Sequence, residues 1–272
     1  MVGGSWVERL AATVGGRGER WVVLGHGFGT DQQSWSHQAE ALERHGLRVL
    51  RFDMAGATAH TQAAFHPDRH RSLFGFAEDL AMLLQELGVD GACYVGHSLG
   101  AMVGLLAANG LPGVFERVVC IGASARYVDD PPAGYVGGLS DPAARELLAS
   151  MGSNYIAWAN GFAASMVGSG GPNLDASQFT RSLLRMRPDI ALVILRAALL
   201  GDHRADVDAL RTPLYMINAS DDPAVPAAAA NWLAEHGRAR RVSVVCARGH
   251  LPHIANPQPV TEALLECLDV AS

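Results

Sequence analysis

No apolar stretch in this 272-residue chain reaches the ~18 residues that a membrane span requires. The amino-terminal MVGGSWVERLAATVGG has no apolar segment of leader length behind basic residues, so neither an anchor nor a secretory leader is expected. Cysteine is scarce. Cys93, Cys120, Cys246 and Cys267 form no CxxC pair, and three of them sit in apolar runs, where a free thiol behaves as a small hydrophobe. A reducing compartment fits, cytoplasmic or cytoplasmic and nuclear. Basic residues are not in excess: the formal net charge is −6, which argues against a phosphate-backbone binder and hence against a nucleic-acid partner. Metal ligands are not grouped. His66 and His70 stand four apart and His250 and His253 three apart, but HLPH contains a proline and no matching cluster follows, so no metal is expected. Gly-x-Gly at 25–27 and 27–29 lacks the spacing and acidic partner of a dinucleotide fingerprint, and no cofactor is expected. There is no fixed-period repeat and no low-complexity tract.

What remains is a globular composition, 49% hydrophobic and 18% charged. Short apolar runs read as strands at 6–14, 21–29, 47–56, 93–97, 115–124, 212–222 and 241–250. SLFGFAEDLAMLLQELG (72–88) has apolar residues at helical spacing and stops at glycine, and AMVGLLAANG also reads as helix. Strands alternating with helices predict an α/β fold with a mostly parallel central sheet covered on both faces, and ligand chemistry at the carboxyl ends of its strands. From about 125 to 200 the rhythm changes. A Pro/Gly-rich segment, RYVDDPPAGYVGG, precedes four helical patterns with no strand between them. The expected organisation is a core of residues 1–124 and 201–272 with a helical lid at 125–200.

CYVGHSLG (93–100) places Ser98 between Gly96 and Gly100, at the exit of a strand and the start of a helix. Serine alone could cap that helix. Gly-x-Ser-x-Gly in a strand–turn–helix context instead predicts a nucleophile elbow, in which a tight turn lifts the hydroxyl clear of the sheet and the glycines prevent collisions. A serine nucleophile needs a base and a group that orients it. Asp222 and His250 each follow a strand, in the chain order Ser, Asp, His. Asp221 is the adjacent competitor; a turn before Pro223 and a surface-loop histidine are the plain alternatives. LGHGFG (24–29) supplies a glycine-rich approach for an oxyanion hole made by the backbone N–H groups of Phe28 and Leu99. Asp53, before MAGAT, reads as a loop anchor. The aromatic and aliphatic residues of the helical segment read first as helix core. A lid must nonetheless turn some of them towards the serine, giving a mostly apolar pocket.

With those residues in view, HGFGTDQQSW (26–35), VGHSLGAMVGLLA (95–107), ASARYVDDPPAGYVGG (123–138), SNYIAWANGFA (153–163), MRPDIAL (186–192) and GHLPHI (249–254) resemble the karrikin-insensitive / strigolactone-receptor group of α/β hydrolases. They also resemble its bacterial stress-response relative, which works with a PAS-domain phosphatase. The resemblance implies an α/β-hydrolase fold with a four-helix lid. It implies Ser98 as nucleophile, Asp222 as acid through the match of DPAVP (222–226), His250 as base, and Phe28 and Leu99 as oxyanion donors. Implied pocket residues are Phe28, Tyr127, Leu139, Leu147, Trp158, Phe162, Phe179 and Leu199, with leucine at 139 and 199 where relatives commonly carry phenylalanine. The implied function is that of a monomeric serine hydrolase for a small apolar ester, lactone or butenolide, turning over slowly and signalling to a ligand-dependent protein partner. That partner would be an F-box protein and repressor if plant-type, or a PAS-domain phosphatase if bacterial-type. HGFGTDQ and MRPDIAL lean to the plant type; DDPPAGYVGG and GDHRADV (201–207) lean to the bacterial. An ordinary carboxylesterase is the remaining alternative.

Overall fold

The computed structural model describes residues 4–167 and 174–270. Residues 1–3 and 271–272 of the expected core, and 168–173 of the expected lid, lie outside that description. Among the described residues seven strands form the sheet: β1 (Thr13–Gly15), β2 (Trp21–Gly25), β3 (Arg48–Phe52), β4 (Ala92–His97), β5 (Phe115–Ile121), β6 (Leu214–Asp221) and β7 (Arg241–Arg248). Their order is β1-β3-β2-β4-β5-β6-β7, parallel throughout except for β1 against β3. Helices follow in chain order: α1 (Trp6–Arg9), α2 (Ser36–Arg44), α3 (Pro67–His70), α4 (Leu73–Leu87), α5 (Leu99–Gly110), α6 (Asp141–Ser153), α7 (Tyr155–Val167), α8 (Ala176–Leu183), α9 (Pro188–Leu200), α10 (Arg204–Ala209), α11 (Ala227–His236), α12 (Pro252–Ala255) and α13 (Pro257–Cys267). None is long and apolar enough to cross a membrane, among the described residues.

The strand sequences are apolar on both faces, as a doubly covered parallel sheet requires. Val23, Tyr94, Val118 and Cys120 face the cluster built by α4, α5 and the helices of the 141–200 segment. Val22, Leu24, Val49, Cys93, Val95, Val119 and Ile121 face Leu42 of α2 and Leu264 and Leu265 of α13. Helix α4 starts at Ser72, whose hydroxyl accepts the Phe74 N–H, and stops at Gly88 in the left-handed region (φ 63°).

One expected strand is overturned. The run 6–14 divides into α1 and β1, because Ser5 and Glu8 form a reciprocal cap. The Glu8 N–H donates to the Ser5 hydroxyl (3.1 Å) and the Ser5 N–H to the Glu8 carboxylate (3.2 Å). Asp53 anchors two loops, accepting the Gln32 N–H at 2.9 Å and the Thr58 hydroxyl at 3.1 Å.

The helical segment is closed at its base. Leu139 N–H donates to the Tyr127 carbonyl (3.1 Å), Asp129 N–H to the Leu139 carbonyl (2.8 Å), and the Asp129 carboxylate takes the Gly137 and Gly138 N–H groups. The leading strand of this clasp meets the segment's far end through ions. Arg204 donates to Asp130 and Asp202, each at 2.7 Å, and Arg126 donates to Asp202 at 2.5 Å. The cations are all arginines because the chain contains no lysine. Arg204 and then Arg126 hold the Asp202 carboxyl well below the usual carboxylate range, against the opposing effect of partial burial. A depressed folded-state value means that the network stabilises above the unfolded-state value of about 3.9 and is lost as pH falls through the folded value. Asp202 is over a third exposed, so solvent screening keeps the effect small. Arg204→Ala is expected to cost about 0.5–1 kcal/mol at pH 6 in urea unfolding. Its gap to wild type should begin to narrow below about pH 4 and close only as the pH falls through the depressed folded value; equal midpoints at pH 6 would deny the clasp any role in stability.

Candidate active site

Ser98 sits between the last residue of β4 and the first of α5, at φ 53° and ψ −122°. That is a sparsely populated conformation for a residue with a Cβ, and it turns the side chain out of the sheet top. Two close approaches explain the flanking glycines. A Cβ on Gly96 would lie 2.6 Å from the Ala101 main chain, and one on Gly100 would strike the Gly25 and His26 carbonyl groups at the end of β2. The turn is fastened by the Ser98 N–H, which donates to the Ile121 carbonyl at 2.9 Å.

The three residues singled out at strand ends meet. His250 Nε2 lies 2.8 Å from Ser98 Oγ, and His250 Nδ1 lies 3.0 Å from both Asp222 oxygens. A carboxylate only accepts, so Nδ1 carries the proton and Nε2 accepts from the serine hydroxyl. Asp222 Oδ1 also accepts the Ala224 N–H at 2.9 Å. Burial pushes the Asp222 carboxyl up, but His250 and the Ala224 N–H outweigh it and the group ends below its ordinary value. Asp221 is exposed; it contributes its carbonyl to the Gly249 N–H at 2.8 Å. Gly122 (φ 54°) faces the pair, where a Cβ would press on Asp222 Oδ2 at 3.2 Å.

Tyr127 adds a contact that the sequence did not announce. Its hydroxyl lies 3.2 Å from Ser98 Oγ. Burial pushes its phenol up to about 12, so it stays protonated. With the Ser98 proton directed at His250, Tyr127 is the donor to Ser98 Oγ.

The Phe28 and Leu99 N–H groups enter no backbone hydrogen bond among the described residues, and both residues border the same cavity as Ser98. That cavity holds about 270 Å³. Phe28, Tyr127, Leu139, Leu147, Phe162, Phe179 and Leu199 line it as expected. Trp158 does not. It lies behind the wall, stacked on Phe162 with ring centroids 4.7 Å apart and edge-on to Phe28 at 6.3 Å. The sequence reading missed Ser165, Met166, Leu195 and Ala198. Helical spacing carried that signal: 162, 165 and 166 share a face of α7, and 195, 198 and 199 a face of α9.

Two further histidines, His70 and His253, are engaged in packing and hydrogen bonds away from Ser98. His70 Nδ1 accepts the His66 N–H at 2.8 Å and its Nε2–H donates to Asp79 at 3.0 Å. His253 is fully buried against Trp35 and His97. No group of three or more His, Cys, Asp or Glu poised for a metal occurs among the described residues.

The profile of the family described as "Alpha/beta hydrolase family" matches residues 22–263. The chain is 37% identical to the "Karrikin insensitive 2 receptor CA" of Petunia hybrida, over 92% of each chain. It is 34% identical to the "Strigolactone esterase D14" of Arabidopsis thaliana, over 96% of this chain and 97% of that one. The solved structure of a hydrolase from Oleispira antarctica superposes with a TM-score of 0.92 at 25% identity, covering 98% of this chain and 97% of that one.

His250 is tied to the helical segment through its own backbone: its N–H donates to the Met166 carbonyl in the last turn of α7 at 2.7 Å. Gly249 (φ 99°) makes this possible, since a Cβ there would be driven against the Met166 and Val167 carbonyls. Gly249→Ala is therefore expected to lower stability by about 1–3 kcal/mol in denaturant unfolding. A variant as stable as wild type would disprove the close approach.

Proposed function

The chain belongs to the alpha/beta hydrolase family, in the branch of the karrikin-insensitive and strigolactone-esterase proteins, and from that premise we propose that it hydrolyses a small apolar ester, lactone or butenolide under a lid formed by residues 125–200. The observation that carries the reading is the chain of hydrogen bonds from Asp222 through His250 to Ser98, opening on a cavity whose other walls are mostly apolar.

In this reading His250 Nε2 takes the proton of Ser98 as its Oγ attacks the ligand carbonyl. The oxyanion that forms is held by the Phe28 and Leu99 N–H groups, the latter also at the positive end of α5. Asp222, kept ionised, supports the imidazolium. His250 then returns the proton to the departing oxygen, leaving an acyl group on Ser98. Water releases that group with His250 again as base. Tyr127 donates to Ser98 Oγ in the resting site and gives up that bond as Oγ becomes acylated. Slow release follows if the apolar lining keeps water from the ester, which suits a receptor that consumes its signal and reports through the lid to a protein partner. The protein acts as a cytoplasmic monomer in this reading. A metabolic esterase is the second reading, favoured by Leu139 and Leu199, which set aliphatic side chains beside Phe28, Tyr127, Phe162 and Phe179 in the cavity wall.

Hydrolysis of a fluorogenic butenolide ether by wild type and Ser98→Ala, followed by intact mass, separates these. Slow, Ser98-dependent release with an adduct on the protein is the expected result. Fast multiple turnover without adduct would favour the esterase, and reaction independent of Ser98 would sink the nucleophile assignment. Asp222→Asn should lower kcat by about 10⁴, as when the acid of such a triad becomes an amide.

A further inference from the structure

We propose that His97, the residue between Gly96 and Ser98, is a positioning residue that holds the base in line with the nucleophile by gripping the His250 main chain. The proposal rests on the reading of Ser98 and His250 given above.

His97 is the last residue of β4 and is 1% exposed. Its Nε2 lies 2.7 Å from the His250 carbonyl oxygen. A carbonyl only accepts, so Nε2 carries the ring proton and Nδ1 is bare. Nδ1 has no hydrogen-bond partner among the described residues. It faces Gly27, where any Cβ would collide with it. The ring is braced from behind: its centroid is 4.5 Å from that of His253, which lies 4.4 Å from Trp35. That packing opposes a swing of the ring away from the carbonyl. Burial, then the neighbouring His250, pushes His97 down to about 3, so the ring stays neutral and the donor stays in place across the working pH range.

The grip matters because of what else holds His250. Its N–H is taken by Met166 of α7 and its carbonyl by His97, both at 2.7 Å. The base thus hangs by its backbone between the helical segment and the core. Gly249 precedes it at φ 99°, a position where the chain itself offers little steric restraint. Release of the carbonyl frees the 250–251 peptide to rotate and carries the ring off the Ser98 line. Displacements of that kind, up to an ångström, cost as much as ~10²-fold in rate. One side chain beside the nucleophile on its own strand therefore sets the base's distance.

The test compares His97→Gln with His97→Leu. A glutamine Nε2 reaches about where the imidazole Nε2 stands and can donate; leucine fills the space and cannot. With the butenolide ether as substrate, His97→Leu should lose about 30–100-fold in kcat with KM within about twofold, and His97→Gln should stay within about fivefold of wild type. Equal kcat in the two variants, high or low, overturns the proposal. Should His97→Leu not fold, nitrogen-15 histidine spectra of the wild type decide. A neutral Nε2–H tautomer with a slowly exchanging proton is expected, and an Nδ1–H tautomer or a rapidly exchanging proton overturns it. If Ser98→Ala hydrolyses as fast as wild type, the nucleophile reading fails. A Ser98-dependent enzyme with matching Gln and Leu variants fails the His97 proposal alone.

Discussion

The backbone of Ser98 is held at a positive φ, a state that costs about 1–3 kcal/mol and persists only where its surroundings over-determine it. Much of the architecture supplies that determination. β2 runs close enough that Gly100 tolerates no side chain, β5 accepts the Ser98 N–H through Ile121, and α5 starts at once, buried through most of its length. The parallel sheet brings the carboxyl ends of β4, β6 and β7 to the same side, so that the residues following each strand converge. The strain is local, and the scaffold that bears it extends through both hydrophobic layers.

Around that turn the polar groups form one ordered chain: Tyr127 to Ser98, Ser98 to His250, His250 to Asp222. Each link fixes the proton of the next, leaving no ambiguity of tautomer along the line. The clasp at the base of the helical segment does for Tyr127 what β5 does for Ser98. It pairs Tyr127 with Leu139 and locks residues 126–130 to 202–204, so the phenol is delivered to the serine from a rigid loop.

Much of this was legible in the sequence for physical reasons. Buried parallel strands are continuous apolar runs, and β2, β4 and β5 announce themselves so. The run at 6–14 imitated one, and the Ser5–Glu8 cap that breaks it was readable three residues apart. Strand-end placement alone does not separate Asp221 from Asp222; the DPAVP resemblance points to Asp222, and the turn directs that carboxylate to His250. Trp158 and Phe162 share a helical face, and the family resemblance implies both for the cavity; a turn of helix decides that Phe162 reaches it and Trp158 backs it. The hydrogen bonds of His97 and of the His250 N–H involve residues 153 and 84 positions apart, and spacing carries no trace of them.

The arginine-only clasp reflects a wider property: the chain has no side-chain amine anywhere. Arginine remains protonated and is a poor nucleophile under ordinary conditions. An aldehyde or activated acyl group leaving the cavity therefore finds no ε-amine on which to form an imine or an amide. Covalent mass retained by the protein after reaction with an electrophilic ligand would then sit on oxygen, imidazole, sulfur or the terminal α-amine. Hydroxylamine sensitivity could sort the labile esters among these from the rest.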